Sequence, residues 1–476
     1  MSALLSEQDL NDFISPGLAC VKPTEVKKVN EEQTTEIEVG KEASELEKVS
    51  ISLQDCLACA GCITSSEEIL LSRQSHTVFV EAWKNLRDER QLAVSISPQS
   101  RISLADYYGL TLETLDLTLL NLFKVYFGCR YFVGTQMGRN LTISRSNQEL
   151  ISLKQQGELA KKPKLSAVCP GFVLYAEKTK PELVPYLLNV KSPQQITGSL
   201  LKMSSNEKLY HLSIMPCFDK KLEASRPDGE KEVDCVITPR EVVTMLQELQ
   251  IDINQYKSED QALRKALSPL GWDPILHWSS NEGSSSGGFA YQYILEMYHL
   301  YPESALQVLE GKNSDLREYR LTDLANGQTI ASATELYGFR NIQNMVRKLT
   351  QRSIRPRNPR LLKNRQATSS ASTKPAIADP TNTDFIEVMA CPGGCINGGG
   401  LLSKDSASNS TSNAVRKKAI IDHLNARYTQ EMVNIDARTM GQEIDHRSTS
   451  HTLSYHYEFH PIDAQPSDVV SLGNTW

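Results

Sequence analysis

The chain has 476 residues, 40% of them hydrophobic and 23% charged, which is the balance of a soluble globular protein with room for two or three domains. A formal net charge of −6 gives no basis for a nucleic-acid partner, and no apolar run reaches the length of a membrane span. The start, MSALLSEQDLNDF, lacks the basic opening and apolar core of a secretory signal, and the first arginine is Arg73, so a cytoplasmic or nuclear location is expected.

The stretch Val21–Lys48 is rich in Glu and Lys and poor in large apolar residues, and reads as a solvated, flexible insertion between Cys20 and the next cysteines. Leu92–Ser97 reads as a strand ending at Pro98, followed by an amphipathic helix carrying Leu104 and Tyr108. Lys164–Val168, His211–Met215 and Val233–Ile237 are further strands. The first two stop at Cys169-Pro170 and Pro216-Cys217. The third leads into a helix over Pro239–Leu249, with Thr238 as N-cap and Pro239 at the first helical position. Such alternation predicts an α/β architecture with mostly parallel sheets, in which loops at the carboxyl ends of strands gather sites.

Between Leu336 and Ala378 there is no Asp or Glu, while Arg and Lys recur. The part from about 352 to 380 reads as a basic surface linker, with a docking patch or nuclear import signal as the alternative. A helix is expected over Val415–Tyr428, and the alternating His451–His460 reads as a strand whose three histidines do not converge on one face. The organisation expected is an N-terminal part over residues 1–80, a core over 81–401, and a C-terminal helix, strand and tail over 402–476.

The ten cysteines matter by placement, since a reducing compartment disfavours disulfides. Cys129 and Cys235 stand alone in apolar stretches, as buried structural thiols do. Cys56-Leu-Ala-Cys59-Ala-Gly-Cys62 puts three thiolates on one loop, a spacing typical of cubane clusters, and Cys20 is the natural fourth ligand. Cys391-Pro-Gly-Gly-Cys395, followed by Gly398-Gly-Gly400, offers two more, with glycines that would let backbone N–H groups approach cluster sulfides. Cys169 and Cys217, at the ends of predicted parallel strands, can complete that set. A redox-active cysteine pair in a glycine-rich turn remains the other reading.

The segments Ser166-Ala-Val-Cys169-Pro-Gly-Phe172, Met215-Pro-Cys217-Phe-Asp-Lys220-Lys-Leu-Glu223 and Glu387-Val-Met-Ala-Cys391-Pro-Gly-Gly-Cys395 resemble, in order, the three signature motifs of iron-only hydrogenases. Ser192–Gln195, Asp234–Glu241 and Gly338–Asn341 support the match, which runs from about residue 50 to 400. The chain more closely resembles the eukaryotic hydrogenase-like branch, the nuclear architecture related or nuclear prelamin A recognition factor-like proteins, and within it a fungal member.

The resemblance implies an iron-only hydrogenase-like α/β fold of two lobes with mostly parallel sheets and a small N-terminal iron–sulfur domain. It implies two [4Fe–4S] clusters, one held by Cys20, Cys56, Cys59 and Cys62, the other by Cys169, Cys217, Cys391 and Cys395. The implied role is non-catalytic. The protein would be an adaptor in cytosolic iron–sulfur protein assembly, between an early scaffold of P-loop ATPases and a late targeting complex with a WD40 propeller, serving cytosolic and nuclear apoproteins. The tail ending at Trp476 resembles the short aromatic-ended tails that dock on that complex. Hydrogenases carry a proton-relaying cysteine just before the first ligand; here it is Val168. Lys220, Met215 and Met389 match positions lining the diiron pocket of those enzymes, with Lys220 either paired to Glu223 or facing cluster sulfides. A true hydrogenase with an altered proton path, or an electron-transfer protein, are the alternatives.

Overall fold

The computed structural model describes residues 74–86, 90–159, 162–226, 232–354, 377–403, 413–436 and 454–461. The chain divides after Ile69, and everything described belongs to the part from Leu70 onward. Cys20, Cys56, Cys59, Cys62, the Val21–Lys48 insertion, most of the basic stretch and Trp476 lie outside the described residues.

Two sheets organise the described chain. The first runs β2-β1-β4-β5, from β1 (Gln91–Ile96), β2 (Tyr131–Gly134), β4 (Leu209–Ile214) and β5 (Cys235–Ile237), with every pairing parallel. These strands are almost wholly buried because helices cover both faces, which is why they read as continuous apolar runs. Their core holds Val94, Ile96, Phe123, Phe132, Leu212, Ile237 and Leu246, together with the lone thiols of Cys129 and Cys235.

The second sheet runs β3-β9-β8-β7-β6, from β3 (Lys164–Leu165), β6 (Ser304–Glu310), β7 (Leu316–Asp323), β8 (Thr329–Tyr337) and β9 (Phe385–Met389). β9 is parallel to both β3 and β8, whereas β6, β7 and β8 form an antiparallel meander. Five of the seven pairings among the described residues are parallel, so the mostly parallel expectation holds, with the meander as its exception.

Local signals act as expected around the strand ends. Thr238 and Glu241 form a reciprocal capping box at the start of the helix Pro239–Glu248, satisfying two amides that the first turn leaves unpaired. Ser192 and Gln195 do the same for the helix Pro193–Met203. The expected C-terminal helix spans Asn413–Glu431 and buries Leu424 and Tyr428 with Ile102, Leu112 and Ile396.

Three expected strands are shorter than their patterns suggest. Val233–Ile237 is a strand only over Cys235–Ile237. Lys164–Val168 is a regular strand only over Lys164–Leu165; beyond it the Ser166 N–H still donates to the Ile386 carbonyl, but the Ser166 hydroxyl takes the Val388 N–H and ends the ladder. Within His451–His460, the described residues form a single bridge between His456 and Val190. The alternation there reflects aromatic rings on cations: Tyr455 under Arg145, with Tyr457 and Phe459 under Arg226.

Candidate metal centre

Three loops converge at the carboxyl ends of β3, β4 and β9. Cys169 follows the extended continuation of β3 and is the N-cap residue of the helix Pro170–Thr179, whose positive end favours an anionic sulfur. Cys217 follows β4, after Met215 and Pro216. Cys391 lies two residues beyond β9, and Cys395 opens the short 3-10 turn Cys395–Asn397. Cys169 and Cys391 thus leave neighbouring parallel strands of one sheet, while Cys217 comes from the other sheet.

The four sulfurs feel one another's charge. Burial first, and then Asp219, Cys391, Cys395 and Cys169, push the Cys217 thiol well above its ordinary value. Burial and then Cys169, Cys395 and Asp219 do the same to Cys391. Cys395 is pushed up to about 12, mainly by burial and Cys169, with Lys220 opposing. Cys169 is raised by burial, opposed by the Ala390 N–H, which donates to its Sγ at 3.4 Å. Among the described residues, no three His, Cys, Asp or Glu side chains crowd one point closely enough to bind a single ion. Four soft donors whose charges act on one another are the donor chemistry of an iron–sulfur centre, whose positive irons would offset the mutual repulsion of the thiolates.

The glycines of the Cys391–Gly400 loop serve packing. Gly393 and Gly394 adopt φ of 73° and 82°, a region that other residues rarely enter. A Cβ on Gly394 would sit 2.1 Å from Ser286 Oγ, and one on Gly398 would sit 2.3 Å from the Pro216 carbonyl oxygen. Ser286 Oγ accepts the Cys395 N–H at 2.9 Å, Asp315 Oδ1 accepts the Gly393 N–H at 2.8 Å, and the Pro216 carbonyl accepts the Gly400 N–H at 3.0 Å. The expected glycine amides aimed at sulfides are therefore corrected in part: those of Gly393, Gly394, Gly398 and Gly400 go to protein oxygens. Each N–H donates once, and these bonds tie the Cys395 loop to the Cys217 loop.

Beside the thiols, Val168 presents a hydrocarbon side chain, and its carbonyl accepts from Lys220 Nζ at 3.1 Å. Lys220 also donates to both oxygens of Glu223, each at 3.0 Å, the first of the two expectations for this lysine, while its charge also acts on Cys395 and Cys169. Glu223 Oε2 is held in turn by Ser192 Oγ and Gln194 Nε2. Met389 Sδ lies 3.6 Å from Cys395 Sγ, and Met215 is buried against Ala224, Val233 and Val236.

Behind β9, Glu387 accepts from Tyr337 OH, Ser284 Oγ and the Ala290 N–H. Ser286, Asp315, Glu335 and Asp219 went unremarked in the sequence reading. Only the serine–glycine tract Ser284–Gly288 carried a hint, as a loop able to approach backbone closely.

The model of the iron only hydrogenase large subunit, C-terminal domain, matches residues 90–399. The solved [FeFe]-hydrogenase HydA1 from Chlamydomonas reinhardtii superposes with a TM-score of 0.58 at 20% identity, over 81% of this chain and 99% of that one, a likeness of fold. The cytosolic Fe-S cluster assembly factor NAR1 of Saccharomyces cerevisiae is 53% identical, and that of Kluyveromyces lactis 56% identical, each over 100% of both chains. The hydrogenase-like fold and this end-to-end identity place the chain in the family of the NAR1 cytosolic Fe-S cluster assembly factors.

Proposed function

We propose that the chain is an iron–sulfur protein of the cytosol that works in cytosolic Fe-S cluster assembly and makes no hydrogen. The observation that carries the proposal is the full-length identity to relatives named as assembly factors. The family's fold is a hydrogenase fold, so the division from hydrogenases rests on side chains. Val168, standing where those enzymes carry the proton-relaying cysteine, is the departure that argues against hydrogen chemistry in this reading.

Cys169, Cys217, Cys391 and Cys395 hold one [4Fe–4S] cluster in this reading. Cys20, Cys56, Cys59 and Cys62 hold a second, in a small N-terminal domain. Bound clusters supply sulfide-bridged iron for transfer or electron relay. The protein's own groups do the rest: Asp315, Ser286 and Pro216 fix the ligand loops, and the Cys169 N-cap position favours a thiolate. The protein then acts as an adaptor between an early scaffold of P-loop ATPases and the WD40 propeller of a late targeting complex, with the Trp476 tail as the contact to the latter. No nucleic acid takes part. Among the described residues no helix is long and apolar enough to cross a membrane.

Depleting the protein and measuring iron in one cytosolic and one mitochondrial cluster enzyme tests the role. Loss confined to the cytosolic enzyme is expected; undiminished loading of both would refute it. Deleting Trp476 is expected to weaken capture of the propeller subunit while leaving iron content unchanged.

A further inference from the structure

Of the four sheet edges among the described residues, three are short and closed. β2 and β5 bury every residue; the Phe132 N–H of β2 donates to the Leu267 carbonyl, and the Val236 N–H of β5 donates to Gln74 Oε1. β3 has two residues, and its Leu165 carbonyl takes the Leu188 N–H. β6 is the exception. It runs for seven residues, exposes Ala305, Leu306, Gln307 and Val308, and pairs with β7 in one unbroken register. Open edges are guarded in most proteins by a charge, a proline or a bulge. Ala305–Leu309 has neither charge nor proline, and nothing interrupts its register.

The ends of the strand fix where its backbone groups point. The Leu324 N–H donates to the Glu303 carbonyl, and the Gly311 N–H donates to the Leu316 carbonyl. Alternate residues of an antiparallel strand face the neighbour. Ala305, Gln307 and Leu309 therefore face β7, and the N–H and C=O groups of Leu306 and Val308 point outward. The Glu310 carbonyl points the same way and accepts the Ala378 N–H at 3.4 Å, which closes that end. Among the described residues, nothing is bonded to the outward groups of Leu306 and Val308. Their side chains share a face with Leu321 and Tyr319, which are buried with the helix Phe289–Leu300, yet they are 43% and 47% exposed. The apolar face of the sheet runs out past its cover.

We infer that β6 docks a second copy of this chain, the two β6 strands pairing antiparallel about a twofold axis at Gln307. The inference is independent of the cysteine reading. With the Glu310 carbonyl taken, the register that uses the remaining outward groups sets Leu306 opposite Val308 of the second copy, and again across the axis. Each pair exchanges both of its hydrogen bonds. A twofold interface must complement itself, and this one does. Apolar side chains meet on one face, and Gln307 meets Gln307 on the other. Glu310, bonded to Arg317 at 3.2 Å, comes opposite Ser304. At both ends the exposed Lys312 comes level with Pro302, beside the exposed Glu303 of the second copy. No like charges stand opposite each other.

Sedimentation of the full-length protein through a dilution series is expected to show a reversible dimer. Hydrogen exchange over residues 304–310 is expected to slow as concentration rises. Leu306→Lys and Val308→Glu each put a charge into the apolar strip, and each alone is expected to lose the dimer at concentrations where the parent forms it. An equal mixture of the two sets Lys opposite Glu in this register and is expected to recover it. Val308→Pro removes an outward N–H that β7 does not use, is tolerated at a sheet edge, and gives the same test where a charged variant does not fold. A parent that is monomeric at every concentration overturns the inference; slow exchange over 304–310 in that monomer would assign the edge to a segment of the same chain. A dimer that survives these substitutions lies elsewhere and overturns it too, as does a mixture that stays monomeric.

Discussion

Lys220 Nζ reaches the carbonyl oxygen of Val168 at 3.1 Å, so the lysine is anchored to the backbone of the residue that precedes Cys169. Its other two protons go to Glu223. Val168 has no proton to pass, and the hydroxyl of Ser166 accepts the Val388 N–H. Hydrogen chemistry needs a positioned acid at every turnover, and losing one costs about 10²–10⁴-fold. The purified protein is expected neither to evolve nor to oxidise hydrogen in a viologen-linked assay, and to lack infrared bands from CO or CN ligands. Val168→Cys separates two accounts: with no diiron centre at these thiols it stays inactive, and with only the relay missing it gains activity. Hydrogen above background from the unmodified protein would contradict the expectation.

Cys395 and Cys59 are expected to belong to cysteine sets with different consequences for folding. The Cys395 loop is bonded to Pro216 of the other sheet and to Ser286, so iron bound there couples to the packing of both sheets. Cys395→Ala is expected to lower soluble yield and the apparent unfolding midpoint more than Cys59→Ala does. Each variant should lose one cluster's worth of iron and sulfide. Equal yields and equal midpoints would count against a centre that joins the sheets.

Gly394→Ala offers a test that leaves every sulfur in place. The backbone φ of 82° already disfavours a side chain, and the added Cβ would lie 2.1 Å from Ser286 Oγ. Relief requires Ser286 to swing away, which frees the Cys395 N–H and shifts the loop. Iron content after reconstitution is expected to fall although all four cysteines remain. Adding Ser286→Gly, which removes the clashing hydroxyl, is expected to recover only part of it, because the left-handed backbone still opposes alanine.

Much of the centre was legible because strand ends announce themselves locally. Val168-Cys169-Pro170 and Met215-Pro216-Cys217 each place a thiol where an apolar run stops at proline, and both lie at carboxyl ends of parallel strands. The capping box at Thr238 was half visible, as an N-cap followed by an acid in the first turn. Long-range partners left no such mark. Ser286 and Asp315 matter only because β9 delivers the Cys391 loop between them, and nothing adjacent to either residue says so. The meander of β6, β7 and β8 passed unassigned because its outer strand exposes Leu306 and Val308, which blurs the alternation expected of a half-buried strand.

The acids behind β9 set a pH dependence. Burial raises Glu335, with Glu387 as the next cause and Tyr319 and Arg317 opposing; burial also raises Glu387 against donors from Ala290, Ser284 and Tyr337. The folded chain thus holds these protons more firmly than the unfolded chain. Their favourable contribution is complete below the ordinary value of 4.5 and is lost as pH rises through the raised folded values. Glu335→Gln still accepts from Tyr319 but cannot ionise. Its unfolding midpoint relative to the parent is expected to climb as pH is raised from about 4.5 toward neutrality and beyond. A difference that stays constant across that range would show that the pair is not titrating.

β3 and β9 lie side by side although Cys169 comes early in the chain and Cys391 late. The loop after β9 is then covered by the helix Asn413–Glu431, through Ile421 against Gly393 and Leu424 beside Ile396. When Cys169 leaves the ribosome, more than half of the polypeptide is still unmade, and the donor set stays open until nearly all of it has emerged. A centre that uses all four thiols can therefore be filled only late in synthesis or after it. If service to other proteins needs that centre, this factor starts out as an apoprotein awaiting delivery.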